Sequence, residues 1–351
     1  MFSEYLKKEK IIIDSYLLNF LGREKPRFSK INIWGKDAIA KIGEFSVLGK
    51  TIRGTLVMLS AEMFGYKNSD PLVILAGGIE LIHTSLLIHD DIMDEDLKRR
   101  GIDTIFASYL PIARINQLQN QYLFAQSMGI CVGDMGFFLF LKSLNMAKIP
   151  ADIKTKIIEK ISDEIIAVGL GQMQDIYLGQ SQKNVDEKDI MNVYLRKTAR
   201  YTFSLPLALG SMLADQKTET ILELERLGEY LGLIFQIKDD EIGLFSKISG
   251  KPLGSDIRKN KKTLIRYYLF DKAGPEDKLL LKKTFGNPKI KNTDIEKVQK
   301  LASRYHIHER INATVTPLVD QSKKIIHLLK ISSFYKNILL DLLDQMLIRN
   351  K

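Results

Sequence analysis

A chain of 351 residues, 45% of them hydrophobic, can bury a sizeable core and is too apolar for intrinsic disorder. Its single cysteine, Cys131, excludes an intrachain disulfide framework, and one cysteine with five histidines cannot build a zinc cluster of the usual spacing. The net charge of +10 invites a nucleic-acid or membrane reading, but the lysines and arginines are interleaved with acids. No nucleic-acid partner is therefore expected, whereas polyanionic substrates suit this balance.

Residues 1–10 are charged and lack the apolar core of a signal peptide. Apolar residues then recur at helical spacing over 37–42, 51–64, 71–94, 121–145, 151–178 and 186–213. The pattern resumes over 219–245, 263–271, 294–305, 308–329 and 333–348. Breaks fall at 65–68, Ile149-Pro150, 250–262, 273–275 and 286–288, where glycine, proline and asparagine collect. Alternating strand patterns are nearly absent. The longest apolar stretches, Leu72–Ile88 and Met128–Leu141, are interrupted by Glu80, His83 and Asp134, so no transmembrane segment is expected. Both read as buried helices, with Cys131 a small buried apolar residue. Neither a repeat nor a linker divides the chain. The expectation is one all-α domain over 1–351, its motifs within 45–265 and further helices over 266–351.

Residues 80–101 carry the strongest chemical signal. Asp90, Asp91 and Asp94 end an apolar helix, and Asp90 and Asp94 share a face. Adjacent carboxylates on an apolar helix repel one another, and a hard cation removes that cost. Arg99 and Arg100 follow, suited to phosphate. A second apolar helix ends in Asp239 and Asp240, with Gln236 on the same face, and is followed by a lysine-rich, glycine-hinged segment over 250–263. There Lys251 and Lys261 are natural phosphate ligands, and Asp256 suits a metal or an ion pair. His83 lies two turns before Asp90, roughly 10 Å along the axis, and reads as a donor to a second, metal-free phosphate. Lys50 and Arg53, behind Gly49, form a cationic cluster at a helix start, where the dipole also favours anions. Gln172 with Asp175, and Lys197 with Thr198, are weaker mid-helix pairs.

These motifs resemble the trans-isoprenyl diphosphate synthases, the polyprenyl synthetase family of head-to-tail prenyltransferases. The matching runs are Gly49-Lys50-x-x-Arg53, residues 80–101, Gly133-Asp134, Gly171-Gln172-x-x-Asp175, Lys197-Thr198-x-x-Tyr201, Phe235-Gln236 with Asp239-Asp240, and the 250–263 loop. The resemblance implies an orthogonal helical bundle around a deep central cavity. It also implies that Asp90, Asp91, Asp94, Asp239 and Asp240 hold three Mg²⁺ ions bridging an allylic diphosphate. Arg99, Lys197, Lys251, Lys261 and Gln236 would bind that diphosphate. Gly49, Lys50, Arg53, His83 and Arg100 would bind isopentenyl diphosphate, and Thr198 and Tyr201 would line the reacting centre. Gln172 and Asp175 would support them. A cytoplasmic homodimer with a peripheral membrane contact for product release is implied as well. In this family, side chains just before the first aspartate limit product length. Small Ser85, beside Leu86, therefore predicts a product of C20 or longer.

The sequence departs from the pattern at Gly243, where many members carry a third aspartate, at Leu48 and Gly54, and in an inserted stretch around 111–121. Two other readings stay open. A terpene cyclase would need acceptor side chains where this chain has Gly243 and Lys247. A non-catalytic partner subunit typically loses acidic residues that this chain keeps.

Overall fold

The computed structural model describes residues 1–181, 185–245 and 253–348. Among these residues the structure is all-α apart from one two-stranded hairpin. In chain order the first helices are α1 (Phe2–Phe28), α2 (Ile33–Val47), α3 (Ile52–Glu62) and α4 (Ser69–Met93). The hairpin, β1 (Lys98–Arg99) with β2 (Ile102–Asp103), leads to α5 (Leu110–Ile115), α6 (Gln121–Met146) and α7 (Ala151–Gln180). Then follow α8 (Glu187–Val193), a π-helix (Tyr194–Ser204), α9 (Leu205–Leu213) and α10 (Thr218–Phe245). The last helices are α11 (Ser255–Arg258), α12 (Leu264–Lys272), α13 (Pro275–Thr284), α14 (Asn292–Arg304), α15 (Ile307–Leu328) and α16 (Ser333–Ile348).

Contacts gather into two compact units, one of residues 1–154 with 209–215 and the other of 155–208 with 216–351. The first unit begins with a helix that the apolar spacing does not announce. In α1, Phe2, Ile13, Leu17, Phe20 and Leu21 are buried at helical intervals, but Ile11, Ile12 and Leu18 lie on the exposed side and blur the pattern. Helix α2 likewise runs longer than 37–42, because Asn32 caps it by accepting the N–H groups of Trp34 and Gly35. The inserted stretch around 111–121 is mostly exposed, yet Asn120 accepts the N–H of Leu123 and starts α6.

Helices α4 and α6 pack antiparallel through glycines. A Cβ on Gly129, Gly133 or Gly136 would collide with Ile92, His89 or Ser85 respectively, so each glycine lets a longer side chain of α4 lie on the α6 backbone. This contact sets the rotation of α4. With Ser85, Ile88 and Ile92 buried, the more open face presents His83, Leu86, Leu87, Asp90 and Asp94. The far side of α6 is not buried, contrary to the expectation from its composition. Ile130, Phe138 and Leu141 are 46%, 71% and 45% exposed, and Cys131 is exposed beside them.

In the second unit the π-helix is gripped from two sides. Gly228 and Gly232 of α10 meet Ser204 and Ala199, a step of four residues on the α-helix matched by five on the wider coil. On α7, a Cβ at Gly171 would lie 2.8 Å from the backbone nitrogen of Lys197. Arg200 adds ion pairs to Glu164 of α7 and to Glu225 and Glu229 of α10. These carboxylates raise its already high pKa.

Candidate active site

The end of α4 and the hairpin assemble the first acidic cluster. Arg100 and Gly101 both take left-handed backbone angles, as a tight two-residue hairpin turn requires. The turn sends Arg99 back onto α4, where its Nε and Nη2 lie 2.7 and 2.6 Å from Asp91 Oδ1, and Nη2 lies 3.5 Å from Asp90 Oδ2. Asp91 is fully buried. Burial lifts its carboxyl to about 6, against the pull of Arg99 and with a further push from Asp90 and Asp96. Its second oxygen, Oδ2, is buried with no hydrogen-bond donor among the described residues. Asp94 is the C-cap of the helix.

Arg100 turns the other way, and its Nη1 lies 3.2 Å from where a Cβ would stand on Gly49. Arg53 is buried at the second position of α3, while Lys50 is exposed just before it. Desolvation holds His83 well below the usual histidine range, and the charges of Arg53, Arg100 and Arg99 push the same way. Of the expected group Gly49, Lys50, Arg53, His83 and Arg100, the structure sets Arg100 against Gly49 and puts His83 within the field of Arg53 and Arg100, while Lys50 is exposed. The sequence reading assigned no role to Glu80. It is buried one turn before His83 and accepts the N–H of Gly54 at 2.8 Å. Ser85, in contrast, is turned into the α6 contact and donates to the carbonyl of Leu81, while Leu86 shares the more open face with Asp90.

In the second unit the two aspartates of α10 differ. Asp239 is exposed. Asp240 is buried, with Tyr194 donating to Oδ2 and Gln236 Nε2 donating to Oδ1 at 2.8 Å. Burial, then the charge of Asp256, raises the Asp240 carboxyl far above the carboxylate range. Gln236 and Asp240, expected as phosphate and metal ligands, thus engage each other, and both oxygens of Asp240 accept protein donors. Tyr194 carried no motif, yet its hydroxyl also accepts the N–H of Leu264 at 3.0 Å and so ties the π-helix to α10 and α12.

Lys197 Nζ lies 2.6 Å from Asp175 Oδ2, which joins two of the weaker sequence pairs. Thr198 and Tyr201 are half-buried on the π-helix, and Gln172 is buried on α7. Lys261 is half-buried after α11, and burial beside Arg266 lowers neighbouring Lys262 to about 8. Asp256 Oδ2 lies 3.4 Å from where a Cβ on Gly243 would stand, so a carboxylate of the loop faces the place of the missing third aspartate. Lys251 and Gly250 lie outside the described residues.

The sequence model for polyprenyl synthetases matches residues 37–302. The chain belongs to the polyprenyl synthetase family. It is 28% identical over 275 residues to the geranylgeranyl diphosphate synthase of Sulfolobus acidocaldarius, covering 76% of this chain and 77% of that one. It is also 28% identical to the octaprenyl diphosphate synthase of Escherichia coli, over 67% of this chain and 66% of that one. Among solved structures it is similar to a geranylgeranyl pyrophosphate synthase from Corynebacterium glutamicum, crystallised with isoprenyl diphosphate and magnesium. That structure has a TM-score of 0.91 and 27% identity, covering 98% of this chain and 99% of the other. As a polyprenyl synthetase the chain is a prenyltransferase, and its all-helical architecture is that of its structural neighbours.

The donor atoms of the first cluster suit the divalent cation such an enzyme uses. They are carboxylate oxygens only, and the buried Oδ2 of Asp91 lacks a donor. Among the described residues no three His, Cys, Asp or Glu side chains converge to enclose an ion. An ion held here would keep phosphate and water among its ligands, which is the habit of Mg²⁺.

Proposed function

We propose that this prenyltransferase condenses isopentenyl diphosphate with an allylic diphosphate, head to tail, to give a C20 or longer prenyl diphosphate. One observation carries the reading: α4 ends in an acidic cluster around Asp90 and Asp91, and two turns earlier its His83 lies among the charges of Arg53 and Arg100, with Glu80 accepting the N–H of Gly54 beside them. The first suits a cation-bridged diphosphate and the second a diphosphate without metal. Members of the family that make such products support the same reading.

In this proposal Asp90, Asp91, Asp94 and Asp239 hold Mg²⁺, three ions by family analogy, and residues 1–351 form a single prenyltransferase domain. Mg²⁺, when bound, supplies positive charge against the leaving diphosphate. Arg99 leaves its aspartates for the allylic diphosphate, joined by Lys197, Lys251 and Lys261. Fixed charge of this kind commonly supplies the largest share of catalysis. The allylic C–O bond ionises, the double bond of isopentenyl diphosphate attacks the cation, and a proton passes to the departing diphosphate. Thr198 and Tyr201 direct hydroxyl or carbonyl dipoles at the cation, while Leu86 and Leu87 exclude water. The growing tail passes along the Leu86 side of α4.

The purified chain is tested with Mg²⁺, labelled isopentenyl diphosphate and allylic diphosphates of increasing length, and the product is sized. Extension to C20 or beyond is expected, and Asp90→Ala should lower turnover by at least about a hundredfold. An extended product from Asp90→Ala at wild-type rate would falsify the reading. Lack of any product from the wild-type chain alone would instead favour the partner-subunit role, and a cyclic hydrocarbon the cyclase.

A further inference from the structure

Thr51 is the strained point of the cationic turn. Its φ is 55°, in the left-handed region where a β-branched residue is a rare and costly occurrence. It is the N-cap of α3, yet its hydroxyl makes no capping bond, although threonine there ordinarily accepts a helix N–H. The hydroxyl reaches α1 instead. It accepts from Lys10 Nζ at 3.3 Å and donates to Asp14 Oδ1 at 3.4 Å. Lys10 Nζ also donates to Asp14 Oδ2 at 2.5 Å and to the carbonyl of Val47 at 2.8 Å. One ammonium group thus ties down both ends of the turn, Val47 and Thr51. The tie is internal, since Thr51 is only 2% exposed. Between its ends lie Gly49, against Arg100, and Lys50, with Arg53 two residues beyond.

We propose that Lys10 and Asp14 are positioning residues for the metal-free diphosphate. They hold Thr51 in its left-handed conformation and so aim Gly49, Lys50 and Arg53 at the anion, without touching the substrate themselves. The inference rests on the reading above, in which this cluster binds isopentenyl diphosphate. It gives α1 a part in recognition that no motif of the chain records. A simpler account would have Lys10 act through its charge alone. The two accounts differ at Asp14, because its removal makes the region more positive while it also breaks the tie.

The test compares Lys10→Met, Asp14→Ala, Thr51→Gly and the double variant Lys10→Met/Thr51→Gly by steady-state kinetics, with a melting curve for each. Both charge variants should raise KM for isopentenyl diphosphate about tenfold, the free energy of one strained residue set loose. KM for the allylic diphosphate should stay within about twofold. Thr51→Gly should return the Lys10→Met value to within about threefold of its own, since glycine takes the left-handed angle without steric cost. If Lys10→Met melts too early to assay, recovery of its melting temperature by Thr51→Gly is the same result read on stability. A lowered KM in Asp14→Ala would show charge acting alone and overturn the proposal. So would equal rises in both KM values, or no rise beside a normally active wild type. Absence of wild-type turnover would overturn the function reading first, and this inference with it.

Discussion

At the scale of single residues, burial separates side chains that look alike in the sequence. Asp239 and Asp240 are adjacent, and both end the same apolar helix, but Asp239 is exposed while Asp240 accepts from Tyr194 and Gln236 inside the second unit. A carboxylate that already serves two protein donors is a poor metal ligand and a good structural anchor. Asp239→Asn should therefore lower turnover by at least about a hundredfold. Asp240→Asn keeps one oxygen for Tyr194 and needs only a flip of Gln236, so turnover should fall by about tenfold or less. Kinetics of the two variants at saturating Mg²⁺ checks this, and equal losses would show that Asp240 holds the metal as well.

At the scale of elements, the α4–α6 contact decides what the reactive helix presents. Gly129, Gly133 and Gly136 bring the two backbones close, which turns Ile92, His89 and Ser85 inward and leaves Leu86 beside Asp90. The small size of Ser85 is used here by helix packing. Ser85→Phe should accordingly overpack the contact, cost about 1–3 kcal/mol and lower the melting temperature by several degrees. Leu86→Phe keeps the packing and should shorten the product while melting near the wild type. Calorimetry and chromatography of both variants read the outcome. A shortened product from a stable Ser85→Phe would assign the length-limiting role to Ser85.

At the scale of the molecule, the outer side of α6 asks for a partner. An apolar helix that leaves Phe138 71% exposed, with Ile130, Leu141 and Cys131 around it, is costly to keep in water. We propose that this face meets its counterpart in a homodimer. Sedimentation should report twice the 40.1 kDa chain mass, and Phe138→Lys should shift the protein to monomer. A wild-type monomer at micromolar concentration would remove the homodimer from the proposal. The helices of the chain from α3 to α10, apart from α5, are largely legible in the sequence, because strong apolar periodicity survives whatever packs against it. Helix α1 is not, since its apolar residues fall on both sides, and neither is the π-helix, whose extra residue per turn comes from the grip of α7 and α10.

The sequence alone determined the helical class, the acidic helix ends and the motifs by which the chain belongs to its family. Those depend on residue type and short spacing, which need no fold to be read. Only the tertiary structure decided which of two adjacent aspartates is buried and that Lys10 of α1 reaches Thr51. It also decided that Ser85 faces glycine while Leu86 shares the face of Asp90. Each of these turns on contact between segments far apart in the chain, where burial and donor geometry set what a side chain can still bind.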